Sequence, residues 1–197
     1  MELLAPSRWT CIDFISDLHL QASDALTFQA WRDYLIHTTA DAVFILGDLF
    51  EVWVGDDALT TETGFERRCA DVLRAASACR AVYIMHGNRD FLMGTALMAA
   101  SGCTLLEDPS VLTFGGQRWL LAHGDAQCLD DTAYMQFRRQ VRSPEWQRDF
   151  LAQPLAERVA LARGIRTQSE ARKRGDAVYA DVDTPAANDL LTSNQAR

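Results

Sequence analysis

One pattern constrains the fold of this chain more than any other: short apolar segments are followed at once by acidic, histidine or asparagine residues. The pattern occurs four times, at Asp17-Leu18-His19, Gly47-Asp48, Gly87-Asn88 and His123-Gly124-Asp125. In an open α/β sheet the carboxyl ends of parallel strands meet at one edge, where ligands bind. We therefore expect these side chains to share one cleft, although they are far apart in the sequence.

The segments around these points predict alternating strands and helices. Strand-length apolar runs occur at Cys11–Ile15, Ala42–Leu46, Ala81–Met85, Val111–Phe114 and Trp119–Ala122. Apolar residues recur with the helical period in Ala25–His37, Phe65–Ala78 and Thr95–Ala100. Gly115-Gly116 between the last two strand candidates predicts a β-hairpin. The order favours an α/β fold with a largely parallel sheet.

The pattern changes after Asp130, where strand signals stop. Between Arg138 and Arg174 there are ten basic and four acidic residues, a local charge of +6 in a chain whose net charge is −8. We predict a core over residues 1–129, a helical cap over 130–175 and a return to the core over 176–197. The basic stretch faces phosphates or an anionic membrane, or it is simply a solvated helix surface.

Composition excludes several classes of protein. The net charge of −8 argues against a general nucleic-acid coat protein. The five cysteines show no paired spacing, so we expect neither a disulfide framework nor a thiolate zinc site. No apolar run approaches the ~18 residues that span a bilayer, and the amino terminus lacks a signal-peptide pattern. We therefore expect any membrane association to be peripheral.

The polar residues at the strand ends indicate metal chemistry. They supply carboxylate, amide and imidazole donors without thiolate, a set that suits Mn²⁺, Fe or Zn²⁺. An Asp placed centrally can bridge two ions ~3.5–4 Å apart, the arrangement that clamps a phosphoryl group. Each motif alone is weak, but the four together in this order favour a functional site.

The series D-x-H, G-D, G-N-x-D and H-G-D resembles the calcineurin-like metallophosphoesterases. Longer segments resemble the UDP-2,3-diacylglucosamine hydrolases within them: Ile15–Leu20, Ile45–Glu51, Trp53–Asp57, His86–Leu92 and His123–Asp125, followed by Asp130-Asp131 and Tyr134. The resemblance implies an αββα sandwich with a helical cap. It also implies Mn²⁺-dependent hydrolysis of UDP-2,3-diacylglucosamine to UMP and 2,3-diacylglucosamine 1-phosphate, a step of lipid A biosynthesis.

The resemblance also assigns roles to individual residues. Asp17 and His19 would hold one Mn²⁺, Asn88 and His123 a second, and Asp48 would bridge both. Arg89 would grip the substrate phosphate, so Asp48, Arg89 and His123 are the expected catalytic residues. Substrate contacts would come from Asn88, Arg89, Asp131, Arg166, Ser169 and Lys173. The location implied is the cytoplasmic face of the inner membrane, with no nucleic-acid or obligate protein partner.

One part of the family pattern is missing. The family completes its metal site with a G-H-x-H segment near the carboxyl terminus, and this chain has no histidine after His123. On this basis we interpret the sequence as a truncated family member, and expect weaker metal binding and slower turnover than in a complete relative. Two other interpretations stay open: a phosphatase or nuclease on the same scaffold, and a chain that only binds nucleotide or lipid.

Overall fold

A computed structural model describes residues 1–173 and 181–196, with the side chains of 168–173 left undescribed. In chain order the strands are β1 (Glu2–Leu4), β2 (Ile12–Ile15), β3 (Ala42–Leu46), β4 (Ala81–Met85), β5 (Thr104–Leu106), β6 (Ser110–Phe114) and β7 (Gln117–Leu121). The helices are α1 (Ala25–His37), α2 (Phe65–Ser77), α3 (Thr95–Ser101), α4 (Thr132–Val141), α5 (Pro144–Leu151), α6 (Leu155–Lys173) and α7 (Thr184–Ser193).

The chain forms two compact units. One comprises Met1–His123 together with Asn188–Arg197, and the other comprises Gly124–Ala187. The seven strands of the described residues lie in the first unit, whereas the described part of the second is mainly helical. The three-part division expected from the sequence, with boundaries at residues 130 and 176, stays a prediction.

The first unit contains a four-stranded parallel sheet in the order β2-β3-β4-β5. Its register pairs Ile12 with Ala42, and Ala42 with Ala81, so the three longer strands start level with one another. Because β3 and β4 also end together, at Leu46 and Met85, the turns after them are neighbours in space. The α/β prediction with a largely parallel sheet is confirmed for this part of the molecule.

A second sheet of three strands has the order β1-β6-β7. The predicted hairpin is present, with β6 antiparallel to β7 and Gly115-Gly116 at its turn. Strand β1 pairs in parallel with β6. Sequence analysis missed β1 and β5, because each has only three residues and carries no periodic signal.

A core of buried side chains joins the two sheets. It contains Phe44 and Met85 from the parallel sheet and Leu112 and Leu121 from the other. The rings of Phe44 and Tyr83 stack with centroids 4.7 Å apart. Full burial of a large apolar side chain contributes on the order of 2 kcal/mol.

The second unit is helical, as the sequence predicted for this segment. Ser143 caps the start of α5 by accepting from the backbone N–H of Trp146, and Pro144 occupies the first helical turn. Asp125 is buried, and its carboxylate accepts hydrogen bonds from Tyr134 and Arg138 in α4. Among the described residues, no helix combines the length and apolarity that crossing a membrane requires.

Candidate metal centre

The turn after β2 is tied to the turn after β3 by backbone hydrogen bonds. The N–H of Asp17 donates to the carbonyl of Gly47 (3.2 Å), and the N–H of His19 donates to that of Asp48 (3.0 Å). The parallel pairing of the strands thus continues past their ends. Both residues of the D-x-H motif are therefore held beside Gly47-Asp48.

Potential metal ligands come together from the turns that follow β2, β3 and β7. Ligand atoms of Asp17, Asp48 and His123 all lie within 4.8 Å of one another. His19 joins them through Nδ1, which is 3.9 Å from Asp48 Oδ2. Asn88 joins through Oδ1, which is 3.1 Å from His123 Nε2. The structure thus brings together the five residues that the sequence pointed to as metal ligands.

The ring of His123 is oriented by the backbone of β3. Its Nδ1 lies 3.0 Å from the carbonyl oxygen of Leu46, which can only accept a hydrogen bond. Nδ1 therefore carries the proton, and the lone pair of Nε2 points toward Asn88 and Asp48. A backbone carbonyl that fixes the tautomer in this way is a common partner of metal-binding histidines.

Three of these residues have an unusual backbone conformation. Asp17, His19 and Asp48 have φ angles of 55°, 49° and 50°, in the left-handed region that L-residues seldom occupy. Each such residue costs roughly 1 kcal/mol or more, and such residues concentrate at functional sites. The hydrogen bonds between the turns hold the strained conformations in place.

Two glycines allow the turns to approach. A Cβ on Gly87 would lie 2.1 Å from Asp48 Oδ1 and 2.2 Å from the Asp48 nitrogen. A Cβ on Gly47, whose φ is 94°, would lie 2.5 Å from Nδ1 of His123. The G-D and G-N motifs therefore need glycine because the ligands themselves occupy the space a side chain would fill.

The electrostatics of the cluster suit a cation. Asp48 is only 2 % exposed, and this burial raises the pKa of its carboxyl although His123, His19 and Arg89 act in the opposite direction. Burial, and then the nearby Arg89, lower the pKa of His19, which favours the neutral, metal-binding imidazole. Nδ1 of His19 is buried and makes no hydrogen bond among the described residues, although Oε2 of Glu51 lies 3.5 Å from it. These residues therefore fit a divalent metal held by oxygen and imidazole donors.

Arg89 lies against the same cluster. Its backbone N–H donates to Asp48 Oδ1 (2.9 Å), and its Nε lies 3.3 Å from Asp48 Oδ2. Its Nη1 donates to Glu51 Oε2 at 2.6 Å. Sequence analysis did not identify Glu51 as a site residue, because nothing in its spacing along the chain indicates that it meets Arg89.

Asp90, the last residue of the G-N-x-D motif, is a second residue to which the sequence assigned no role. It is fully buried, and its carboxylate accepts from the N–H groups of Gly87 (2.8 Å) and Phe50 (3.3 Å). Burial raises its pKa to about 6 despite these bonds. Asp90 thereby fastens the turn after β4 to the turn after β3.

The remaining histidines lie outside the cluster contacts described above. His37, at the end of α1, has Nδ1 at 2.7 Å from the carbonyl of Asp33 in the same helix. His86 has Nε2 at 2.7 Å from the carbonyl of Met93. In each histidine, one ring nitrogen therefore contacts a backbone carbonyl oxygen.

The expected substrate contacts other than Asn88 and Arg89 belong to the second unit. Asp131 caps α4, where its Oδ1 accepts from the N–H of Tyr134 at 2.9 Å. Arg166 is half-buried in α6. The side chains of Ser169 and Lys173 lie outside the described residues. The roles of these four residues in binding substrate stay a prediction.

Comparison with known families identifies the class of protein. The model of the calcineurin-like phosphoesterase family matches residues 12–185, which include the five potential ligands and Arg89. The chain belongs to this family, and the resemblance seen in its motifs is confirmed. It is accordingly a metal-dependent hydrolase of phosphate esters or anhydrides.

Individual relatives indicate which members of the family this chain is similar to. The chain is 45% identical over 192 residues to a UDP-2,3-diacylglucosamine hydrolase of Chromobacterium violaceum, covering 93% of this chain and 78% of the relative. A protein of the same name from Chromohalobacter salexigens is 45% identical over 177 residues (87% and 70%). A third, from Xanthomonas campestris pv. campestris, is 44% identical over 181 residues (88% and 72%).

Proposed function

We propose that this chain hydrolyses the pyrophosphate bond of UDP-2,3-diacylglucosamine, yielding UMP and 2,3-diacylglucosamine 1-phosphate for lipid A biosynthesis. The observation that carries the proposal is the cluster of Asp17, Asp48 and His123 within 4.8 Å, in a chain about 45% identical to hydrolases of that name. The cluster accounts for phosphoryl chemistry, and the relatives' names supply the substrate.

In this proposal five residues of the cluster would hold the metal. Asp17 and His19 would hold one Mn²⁺ ion, Asn88 and His123 a second, and the buried Asp48 would serve both. Divalent ions bound there supply Lewis-acid polarisation of water and of the phosphoryl oxygens. The proton that Leu46 fixes on Nδ1 keeps Nε2 of His123 available as a ligand.

Arg89 supplies a fixed positive charge beside the reacting group. A guanidinium matches the geometry of two phosphate oxygens, and it stays charged at all working pH values. Largely buried beside Asp48, it would orient the pyrophosphate and stabilise charge that develops on the pyrophosphate oxygens. Water adds across the P–O–P bridge at the phosphorus that carries uridine, so the water oxygen ends in UMP.

The helical unit would serve as the part that receives the acyl chains. Its described residues include five exposed large apolar side chains, and three of them, Phe137, Leu151 and Leu161, lie on helices that carry arginines; the other two are Leu129 and Val182. Exposed apolar groups among basic residues favour contact with acyl chains and with an anionic membrane surface. Peripheral attachment to the cytoplasmic face of the inner membrane is part of the proposal.

The test is hydrolysis of the diacylated UDP-sugar by the purified chain in ¹⁸O-labelled water during a Mn²⁺ titration. We expect Mn²⁺-dependent release of UMP that carries the label. Label in the sugar phosphate would contradict attack at the uridine phosphorus. UDP-glucosamine without acyl chains should react far more slowly; equal rates for the two substrates would favour a general phosphatase or nuclease.

A matched pair of variants separates the site from the fold. Asp48→Asn should abolish UMP release, whereas Asp189→Asn, an exposed position on α7, should keep it. Sedimentation with phosphatidylglycerol vesicles, compared with phosphatidylcholine vesicles, tests the membrane part separately. Equal binding to both kinds of vesicle would remove the electrostatic contribution to attachment.

A further inference from the structure

We infer that Glu51 is a positioning residue that holds the Arg89 guanidinium in place for the phosphate group of the substrate. This inference rests on the proposed function in one respect: it takes Arg89 to bind a phosphate. It adds a residue to the site, because Glu51 is not among the metal ligands or substrate contacts considered above.

The contact between the two side chains is close and largely shielded. Glu51 Oε2 lies 2.6 Å from Nη1 of Arg89, and the side chains are only 21% and 13% exposed. A charge-assisted hydrogen bond of this length is about twice as strong as a neutral one. Partial burial reduces the screening that makes surface ion pairs weak.

The backbones on both sides are fixed, so the pair has little freedom. The N–H of Glu51 donates to the carbonyl of Leu20 (3.1 Å) in the turn that also carries His19. The carbonyl of Arg89 accepts from the N–H of Trp53 (3.0 Å). Glu51 therefore reaches Arg89 from a turn anchored next to the metal ligands.

Glu51 competes with Asp48 for the guanidinium of Arg89. Nε of Arg89 lies 3.3 Å from Oδ2 of Asp48, a buried carboxylate that the bound metals would need. Without Glu51, the guanidinium would have Asp48 as its only close carboxylate among the described residues, and would turn toward it. Because Glu51 holds Nη1, the guanidinium has a second carboxylate to pair with, and less of its charge is directed at Asp48.

Two effects of removing Glu51 have opposite signs, which makes the inference testable. Deleting a negative charge beside an anion site, by itself, tightens anion binding. Releasing Arg89 from its position weakens phosphate binding. If Glu51 positions Arg89, the release of Arg89 has the larger effect. The affinity for phosphate then falls, although a negative charge that repels phosphate has been removed.

The experiment is a double-mutant cycle read out by UMP binding in the presence of Mn²⁺, measured by calorimetry. Glu51→Ala should weaken UMP binding about 10-fold, the loss expected for one charge-assisted hydrogen bond. Glu51→Gln, which keeps an acceptor for Nη1, should retain most of the affinity. In the Arg89→Ala background, Glu51→Ala should cause no further loss. Glu62→Ala, an exposed position in the same unit, is the matched control and should leave affinity and melting temperature unchanged.

Steady-state kinetics provide a second reading with the substrate that the chain cleaves, whether the acylated UDP-sugar or bis(p-nitrophenyl) phosphate. Glu51→Ala should raise KM with little change in kcat, because the lost interaction is binding of phosphate. Tighter UMP binding in Glu51→Ala, an undiminished loss in the Arg89→Ala background, or no UMP binding by the wild-type chain would each overturn the inference. Failure to cleave the acylated sugar, with the UMP cycle intact, would count only against the proposed function.

Discussion

The turns after β3 and β4 and the hairpin turn between β6 and β7 all depend on glycine, but for different reasons. At Gly47 and Gly87 a Cβ would lie within 2.5 Å of His123 or Asp48. At Gly115 and Gly116 a Cβ would meet no atom within 4 Å, and only the positive φ angles, 59° and 75°, favour glycine. The first pair is required by neighbouring functional groups, and the second by local backbone geometry alone.

The largest effect expected from this comparison is that of Gly87→Ala. The new methyl group has no flexible neighbour to displace, since it meets the backbone nitrogen and the carboxylate of Asp48. We expect a loss of about 1–3 kcal/mol in the free energy of unfolding from overpacking. Turnover should fall at least ~100-fold, as when the support of a metal ligand is lost. Chemical denaturation and steady-state rates measure both, and a fully active Gly87→Ala variant would show that the turn is not closely packed.

Asp48→Asn should affect function and stability in opposite ways. The variant should lose the rise in melting temperature that Mn²⁺ gives the wild-type chain, because the central ligand has lost its charge. In EDTA it should melt at least as high as the wild-type chain, since a buried carboxylate has been replaced by a neutral amide. Differential scanning calorimetry with and without Mn²⁺ measures both effects. An undiminished Mn²⁺ effect would place the metal elsewhere.

Asp13, in β2, is a carboxylate whose pKa is shifted in the opposite direction to that of Asp48. Hydrogen bonds from Thr38 and Tyr34, both 2.7 Å, lower the pKa of this carboxyl. Because the folded-state pKa is lowered, the stabilisation is present above the unfolded value of about 3.9 and is lost as the pH falls through the folded value.

Asp13→Asn should therefore lower the free energy of unfolding by about 1 kcal/mol at pH 7, the usual net value of such hydrogen bonds. The difference from the wild-type chain should shrink as the pH falls below 4. Urea denaturation over pH 3–7 measures this dependence. A constant difference across that range would mean that the ionised form of Asp13 is not what stabilises β2.

The smallest effect is expected at the hairpin. Gly115→Asn introduces the residue most often found at the first central position of a type I′ turn, where φ is positive. Since the Cβ meets open space, the free energy of unfolding should change by less than about 0.5 kcal/mol, with turnover unchanged. A loss as large as that in Gly87→Ala, in the same denaturation assay, would remove the distinction between the two kinds of turn.

The sequence predicted three of the parallel strands, β2, β3 and β4, and the residues of the candidate metal centre, because each follows from a local pattern. A run such as Ala42–Leu46 followed by Gly-Asp predicts both a buried strand and a polar residue at its end. Glu51 and Asp90 were missed as functional contacts, since their roles depend on which turns become neighbours. The sheet pairing brings Glu51 to Arg89 and Asp90 to Phe50, and no spacing along the chain shows this.

The left-handed conformations of Asp17, His19 and Asp48 have a consequence for laboratory evolution. Glycine adopts φ near +50° without strain, and asparagine does so more readily than histidine. A library screened only for heat resistance would therefore be expected to enrich glycine or asparagine at these three positions. The most heat-resistant clones would have lost the cluster altogether. Only a screen that also requires turnover would retain Asp17, His19 and Asp48, which are unfavourable residues for this backbone conformation.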